Sequence, residues 1–513
     1  MKVLNIKEIC DNNNTMIEIA NKDSISYKEM YEFILFIRKC LNFKKEIVYT
    51  FMGRCSESIA IMIYCLSFGK IYCPIYTKDN DIGIVNMLQS IGNGILFTDE
   101  NNFERILKLK EQYLLPIKIY LLNLKFKKCS IISDEDTSIK VELPENTIAL
   151  YRTSGSSGKP KIVMVRGDSV LHFINWEISK FGIDKNDSFI NLTDPSFDPY
   201  FRDILVPITV GAKIIVIDEE INLNYDIIAD IINNKKITAF HCVPMVLRKI
   251  LSANKSYNST LRYVFSAGEM LYGSDVDHFY NSHYKNAKLI NLYGPTETTL
   301  AKFYYEVKIN DSKKLRIPVG RPLDNSTFFK IKDQETGDFI DQELRDGEVV
   351  IITKYASAGY LNVGDETFIK LSNNNDAYLT GDRGELDNDG NLIIKGRLNG
   401  LIKINGQKVD CDLIAATMKF IPEIQDCCVI DIVLKNKSTI LVAVYTKLNS
   451  IDMLDPSYLI QNLRQASCNI FPSKFVCLDK LPINRSGKID KIKVRNIIEN
   501  KFNDKIIKIS TGG

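Results

Sequence analysis

The sequence predicts an α/β fold: a large N-terminal domain (1–398) of doubly wound α/β subdomains plus a barrel-like segment, then a small mobile α+β C-terminal domain (399–513). Three observations predict it. From about residue 15 to 350, short apolar runs alternate with amphipathic stretches, the pattern of strands and helices wound in alternation. From about 325 to 395 the pattern changes to short strands with Gly, Asp and Asn turns, as at Asp346-Gly347 and Asp389-Gly390, which points to an antiparallel or barrel-like segment. A second break falls at Gly396 to Gly406, beyond which residues 407–513 mix helix and strand over enough chain for a small domain. At 513 residues the chain exceeds one ordinary core.

Taken in order, Ile47 to Met52, Ile71 to Ile75, Gly94 to Thr98 and Ile117 to Leu122 are short, mostly apolar runs that read as buried strands. Ser56 to Ser67 and Asn101 to Glu111 between them have helical spacing. The pattern repeats at Ser188 to Leu192, Lys213 to Asp218, Ala239 to Val243, Leu261 to Ser266 and Lys288 to Leu292, with helix-like Tyr225 to Asn233 and Pro244 to Leu251 among them. Two domains meeting at a Gly/Asn-rich junction bind ligands between them and can rotate.

Composition excludes several classes. With 66 basic and 63 acidic residues the formal charge is +3, which gives no support for a nucleic-acid surface. The most apolar stretches, such as Ser58 to Ser67 and Lys213 to Ile217, fall short of the roughly 20 residues of a membrane helix. Met1 to Asn14 has no continuous apolar core of a signal peptide, so a cytoplasmic setting is expected. The 12 cysteines include no C-x-x-C pair, which predicts free thiols. The four histidines, 172, 241, 278 and 283, lack zinc-ligand spacing.

The most informative stretch is Tyr151-Arg-Thr-Ser-Gly-Ser-Ser-Gly-Lys-Pro-Lys161. Gly155 and Gly158 allow close backbone approach to a ligand. The hydroxyls of Thr153, Ser154, Ser156 and Ser157 can donate to phosphate oxygens, and Lys159 and Lys161 add positive charge. It is not the P-loop of NTPases, because the glycines are too close together and Pro160 follows Lys159. Further segments follow in order: Phe197-Asp198 after an apparent strand, Asn291-Leu-Tyr-Gly-Pro-Thr-Glu-Thr-Thr299, and Tyr378-Leu-Thr-Gly-Asp-Arg-Gly-Glu385 leading to Gly396-Arg397 and Lys403-Ile-Asn-Gly406. The last is Leu481-Pro-Ile-Asn-Arg-Ser-Gly-Lys488-Ile-Asp490.

In this order and spacing the chain resembles the adenylate-forming superfamily of acyl-CoA synthetases, peptide-synthetase adenylation domains and luciferases, most of all stand-alone adenylation domains of non-ribosomal peptide synthesis. The resemblance implies that a carboxylate attacks the α-phosphate of ATP, releasing pyrophosphate, and that the acyl group then passes to a thiol. It implies that Thr153 to Lys161 holds the β- and γ-phosphates, that Tyr293 stacks on adenine and that Thr296 contacts the α-phosphate. Glu297 would help hold Mg²⁺. Asp382 would accept the ribose hydroxyls, Arg397 would contact the nucleotide, and Lys488 would bridge the substrate carboxylate and the α-phosphate. ATP and Mg²⁺ are the implied cofactors.

An aspartate at Asp198 resembles those of amino-acid-activating relatives, where it pairs with the α-ammonium group. The corresponding pocket would be Asp198, Pro199, Arg202, His241, Phe265, Ala267, Leu292, Leu300 and Ala301, closed by Lys488. Two readings stand for Arg202: an inward guanidinium favouring an acidic or hydrogen-bonding side chain, or a pair with Asp203. With no carrier segment after Asp490, the resemblance implies a stand-alone, monomeric enzyme loading the phosphopantetheine thiol of a separate carrier protein. A D-alanine–carrier-protein ligase, an acyl- or aryl-CoA ligase and a lapsed nucleotide-binding module are the alternatives. Asn399 stands where peptide-synthetase relatives usually have a hinge Asp, and the hinge is expected there.

Overall fold

The computed structural model describes residues 14–501 apart from 21–22, 41–46, 124–127, 134–141, 154–160, 219–220, 222–223, 254–259, 334–335, 338, 341–345, 363, 365, 372–374, 405–406, 435–438, 449–453, 466–469 and 485–487. Two wound sheets carry the N-terminal part. The first is seven-stranded, in the order Lys128–Ser133, Ile117–Asn123, Gly94–Thr98, Ile47–Phe51, Ile71–Pro74, Thr147–Thr153, Lys161–Arg166. Its inner pairs are parallel and its two outer pairs antiparallel. The helix Ser56–Phe68 is apolar on nearly every face because it is covered on nearly every face. Cys55 accepts from the Ser58 amide at its start, and Gly69 ends it in a left-handed conformation (φ 67°).

The second sheet is nine-stranded: Arg321–Pro322, Phe303–Glu306, Lys288–Tyr293, Tyr263–Ala267, Ala239–Cys242, Ser188–Asn191, Lys213–Val216, Thr15–Ile19, Ser24–Ser26. From Thr15–Ile19 to Lys288–Tyr293 it is parallel. Ser188–Asn191 has Lys213–Val216 on one side and Ala239–Cys242 on the other, so the chain reverses its winding there. In open α/β sheets, the crevice at the carboxyl end of such a switch strand is where ligands bind.

Residues Thr327 to Arg397 form a six-stranded antiparallel sheet, as the turn pattern predicts. The segment Tyr378 to Glu385 is part of one long strand, Asp376–Leu386, rather than a turn. Gly381 (φ 67°) supplies the left-handed residue that lets the strand kink at its middle. From Leu401 on, the elements build their own sheets and cores. They comprise the hairpin Leu401–Ile404/Gln407–Asp410, the three-stranded sheet Ile424–Val433, Thr439–Lys447, Lys474–Cys477, and the helices Cys411–Met418, Pro456–Gln465 and Lys491–Lys501. This is the smaller α+β unit that the sequence predicts.

Ion pairs seat the two parts on one another. Arg248 of the helix Pro244–Ser252 bonds Asp275 (2.6 Å) and reaches Asp426 (3.5 Å), which Lys419 also holds at 2.7 Å. Asp410 accepts from Arg316 at 3.1 Å and Arg383 at 2.7 Å. No helix among the described residues is long and apolar enough to cross a membrane.

Candidate active site

A cavity of about 540 Å³ opens where the strands of the second sheet end, between that sheet, the antiparallel sheet and the C-terminal part. Sequence order explains who lines it. Asp198 and Pro199 follow the switch strand Ser188–Asn191, and Arg202 sits on the first turn of the helix Tyr200–Val210. His241 and Ala267 come from the next two strands, and Leu292 and Tyr293 from the end of Lys288–Tyr293. Asp382 and Arg397 arrive from the antiparallel sheet, Lys488 from the C-terminal part.

The loop after Tyr293 is tightly built. A Cβ at Gly294 would meet Leu300 O at 2.4 Å and Ala301 Cα at 2.8 Å, so the loop folds back closely only because that side chain is missing. Thr299 (φ 65°) and Leu300 (φ 58°) are left-handed without being glycine, a strain of about 1–3 kcal/mol each that the surroundings hold in place. Its yield is two donors on one carboxylate: Thr296 Oγ1 to Asp198 Oδ1 at 2.7 Å, and Leu300 N to Asp198 Oδ2 at 3.2 Å. Burial raises the Asp198 carboxyl above its ordinary range, and these two bonds oppose that. Behind the loop, fully buried Lys302 donates to Thr299 O at 2.9 Å, and burial pushes its pKa down to about 7.

At the other end, Tyr293 Oη donates to Asp382 Oδ2 at 2.7 Å, and Arg397 Nη1 to Asp382 Oδ1 at 3.1 Å and Thr380 O at 2.5 Å. Asp382 and Arg397 face one another across the antiparallel pair, which is why they meet. Burial raises the Asp382 carboxyl, with Arg397 opposing. Lys488 reaches the same cavity, its amide donating to Asn484 Oδ1 at 3.0 Å. Burial lowers its ammonium pKa, partly offset by Glu269, also on the wall.

Of the residues expected at the site, Asp198, Pro199, Arg202, His241, Ala267, Leu292, Tyr293, Thr296, Leu300, Ala301, Asp382, Arg397 and Lys488 line this one cavity. Phe265 lies behind its wall, fully buried, stacked on His241 with ring centroids 4.8 Å apart. Glu297 lies outside the lining, its Oε1 accepting from Tyr360 Oη at 2.7 Å. Thr153 and Lys161 end paired strands, and Lys161 Nζ stands 4.5 Å from the Tyr360 ring centroid. Ser154, Gly155, Ser156, Ser157, Gly158 and Lys159 lie outside the described residues. Asn399 lies in the short turn Leu398–Gly400 between the two parts, with its side chain outside them too. Among the described residues no group of three or more His, Cys, Asp or Glu is placed to hold a metal.

Sequence reasoning missed Glu177, Tyr360, Thr380 and Lys302. His241 lies between two carboxylates, Nε2 3.0 Å from Glu177 Oε1 and Nδ1 3.2 Å from Asp203 Oδ1, all buried. Asp203 Oδ2 accepts from Asn191 Nδ2 and the Thr193 amide. Arg202 approaches Asp203 only to 3.9 Å while also lining the cavity, so both readings of it hold in part.

Fold and cavity together define an adenylate-forming type of protein, with a nucleotide-sized cleft under a smaller C-terminal unit. Residues 10–361 match the AMP-binding enzyme family, and the chain belongs to it. It is 30% identical over 364 residues to a component of the mycosubtilin synthase of Bacillus subtilis, covering 68% of this chain but 14% of that protein. It is 24% identical over 496 residues to zwittermicin A synthase ZmaJ of Bacillus cereus, covering 92% and 90%. In fold it is similar to ATP-bound MatB from Rhodopseudomonas palustris (TM-score 0.80, 17% identity, 98% and 100% covered). It is also similar to a four-domain nonribosomal peptide synthetase bound to AMP and glycine (TM-score 0.77, 21% identity, 95% and 36% covered).

Proposed function

We propose that this chain activates an amino acid with MgATP, forming an aminoacyl-adenylate and pyrophosphate, and passes the aminoacyl group to the phosphopantetheine thiol of a separate carrier protein. The observation that carries this reading is that Asp198, Asp382, Arg397 and Lys488, drawn from three different parts of the fold, share one cavity. In this reading Tyr293, Asp382 and Arg397 receive the nucleoside, and Asp198 receives the α-ammonium group of the amino acid. Thr296 stands between them, beside the α-phosphate. The ammonium of Lys488 lets substrate carboxylate and α-phosphate approach and stabilises the charge of the transition state. The carboxylate oxygen bonds to the α-phosphorus as the bond to the pyrophosphate oxygen breaks.

Glu297, on the Lys161 side of the site, is the carboxylate suited to the Mg²⁺ that enters with ATP. The domain boundary falls at 398/399, and Asn399 is the hinge about which the small domain turns for the thiol step. Asn399→Pro then impairs one half-reaction selectively; equal loss in both counts against that hinge.

The test is substrate-dependent pyrophosphate release across L-, D- and β-amino acids, aryl acids and fatty acids, followed by transfer to phosphopantetheinylated carrier protein. Turnover confined to aryl or fatty acids would remove amino-acid activation and the role given to Asp198.

A further inference from the structure

At the closed end of the cavity the helices Gly167–Phe181 and Tyr200–Val210 and the strand Ala239–Cys242 bring four buried ionisable side chains together: Glu177, Arg202, Asp203 and His241. Three make hydrogen bonds to neighbours: His241 Nε2 with Glu177 Oε1, and Asp203 Oδ2 with Asn191 and the Thr193 amide. His241 Nε2 lies 3.0 Å from Glu177 Oε1 and Nδ1 3.2 Å from Asp203 Oδ1, a setting that favours the protonated ring. Burial alone would lower its pKa, and the Glu177 and Asp203 carboxylates more than reverse this. Its ring stacks on Phe265. Its Nε2 is therefore taken up by Glu177.

Arg202 differs. It is 4% exposed and lines the cavity, and its Nε is buried with no hydrogen-bond partner among the described residues, 3.9 Å from Asp203 Oδ1. A buried guanidinium offers a planar fork of donors, and leaving it unmet is costly. The group that meets it best is a planar pair of acceptors, or one trigonal oxygen. Arg202 and protonated His241 balance Glu177 and Asp203, so the cluster is neutral before any ligand arrives. An incoming group therefore needs an acceptor oxygen more than it needs a net charge. Ala267, Leu292, Leu300 and Ala301 give the same cavity an apolar wall, which suits a methylene linker.

We propose that the pocket selects an amino acid whose side chain ends in a trigonal oxygen acceptor, a carboxamide ahead of a carboxylate, and that Arg202 reads it. The inference rests on the amino-acid reading given above. Asp203 and Glu177 are positioning residues, holding His241 so that it does not compete for the same oxygen.

The experiment measures amino-acid binding by calorimetry with the full chain and a non-hydrolysable ATP analogue, and pyrophosphate release on the same panel. The panel is glutamine, asparagine, glutamate, aspartate, leucine and norleucine, with wild type, Arg202→Met and Arg202→Lys. Glutamine or asparagine heads the wild-type ranking, with norleucine weaker by about 10²-fold. In Arg202→Met that gap closes to within a few-fold, and Arg202→Lys restores part of it. A carboxylate ahead of a carboxamide keeps Arg202 in its role and overturns the charge argument. Leucine or norleucine at the head in wild type overturns the inference while leaving amino-acid activation standing, as does a ranking unmoved by Arg202→Met. If a variant fails to bind the ATP analogue, the wild-type ranking alone decides. Turnover of aryl or fatty acids only, with no amino acid bound, overturns both readings.

Discussion

The two ends of the cavity are built on opposite plans. At the end proposed for the nucleotide each oxygen of Asp382 already has a donor, from Tyr293 and Arg397, and Arg397 is tied to Thr380 O as well. At the end proposed for the amino acid, each oxygen of Asp198 has a donor too, but the buried Nε of Arg202 has no hydrogen-bond partner among the described residues. A satisfied cluster has its geometry before the ligand comes and treats every cosubstrate alike. An unsatisfied one is indifferent to nothing, because a ligand lacking the right atom leaves the group unpaired. One cavity thus combines a fixed half and a discriminating half.

The comparison can be broken at several points. Lys488→Ala, which touches both ends, should lower pyrophosphate release by on the order of 10²–10³ for every acid while ATP binding survives. A loss confined to one class of acid would mean that Lys488 belongs to the discriminating half. Asp198→Asn should weaken amino acids by roughly 10–100-fold with ATP affinity unmoved, since it removes a charge-assisted bond. In wild type the amino-acid kcat/KM should fall on the acid side at a pH above the ordinary carboxylate range. Burial raises the Asp198 carboxyl, and protonation removes the charge that holds the ammonium.

Tyr293→Phe deletes the bond to Asp382 and should raise KM for ATP about 10-fold, equally for all amino acids. A change in amino-acid ranking would dissolve the division. The smallest effect concerns stability. Lys302 is depressed in the folded state to about 7, so below that pH the folded protein bears the cost of a buried charge. As pH rises from 7 towards the unfolded value the folded state sheds that proton first, and stability rises. Denaturant unfolding should then show Lys302→Met more stable than wild type by roughly 1–3 kcal/mol at pH 6, the advantage shrinking by pH 9.

Much of this was legible in the sequence. Gly94–Thr98 begins and ends where its apolar run does, and Ser188–Asn191, Ala239–Cys242 and Lys288–Tyr293 differ from theirs by a residue at one end, because strands buried on both faces advertise themselves. The motif residues, named one by one along the chain, converge on one cavity: Asp198 and Thr296 from loops after strands, Tyr293 and Arg397 from strand ends, and Asp382 from within a strand. What could not be read was pairing. Asp382 and Arg397 meet through a register across two strands, and their spacing alone does not disclose it. Glu177 left a faint mark. On Gly167–Phe181 it falls in the apolar stripe with Val170, Phe173, Ile174 and Phe181, and a carboxylate on a buried stripe announces a hidden partner without naming it. The Thr299–Leu300 strain left none, since neither residue type favours a left-handed backbone.

Arg397 closes its strand, and the next residue begins the turn Leu398–Gly400 that joins the two parts. The side chain that grips Asp382 is thus one peptide bond from the joint. Whatever fastens or frees that guanidinium changes how stiffly the joint is clamped on its large-domain side. In the reading proposed above, a nucleotide seated there would act as a brake on the swing as well as a reactant, with no relay of residues between the two roles.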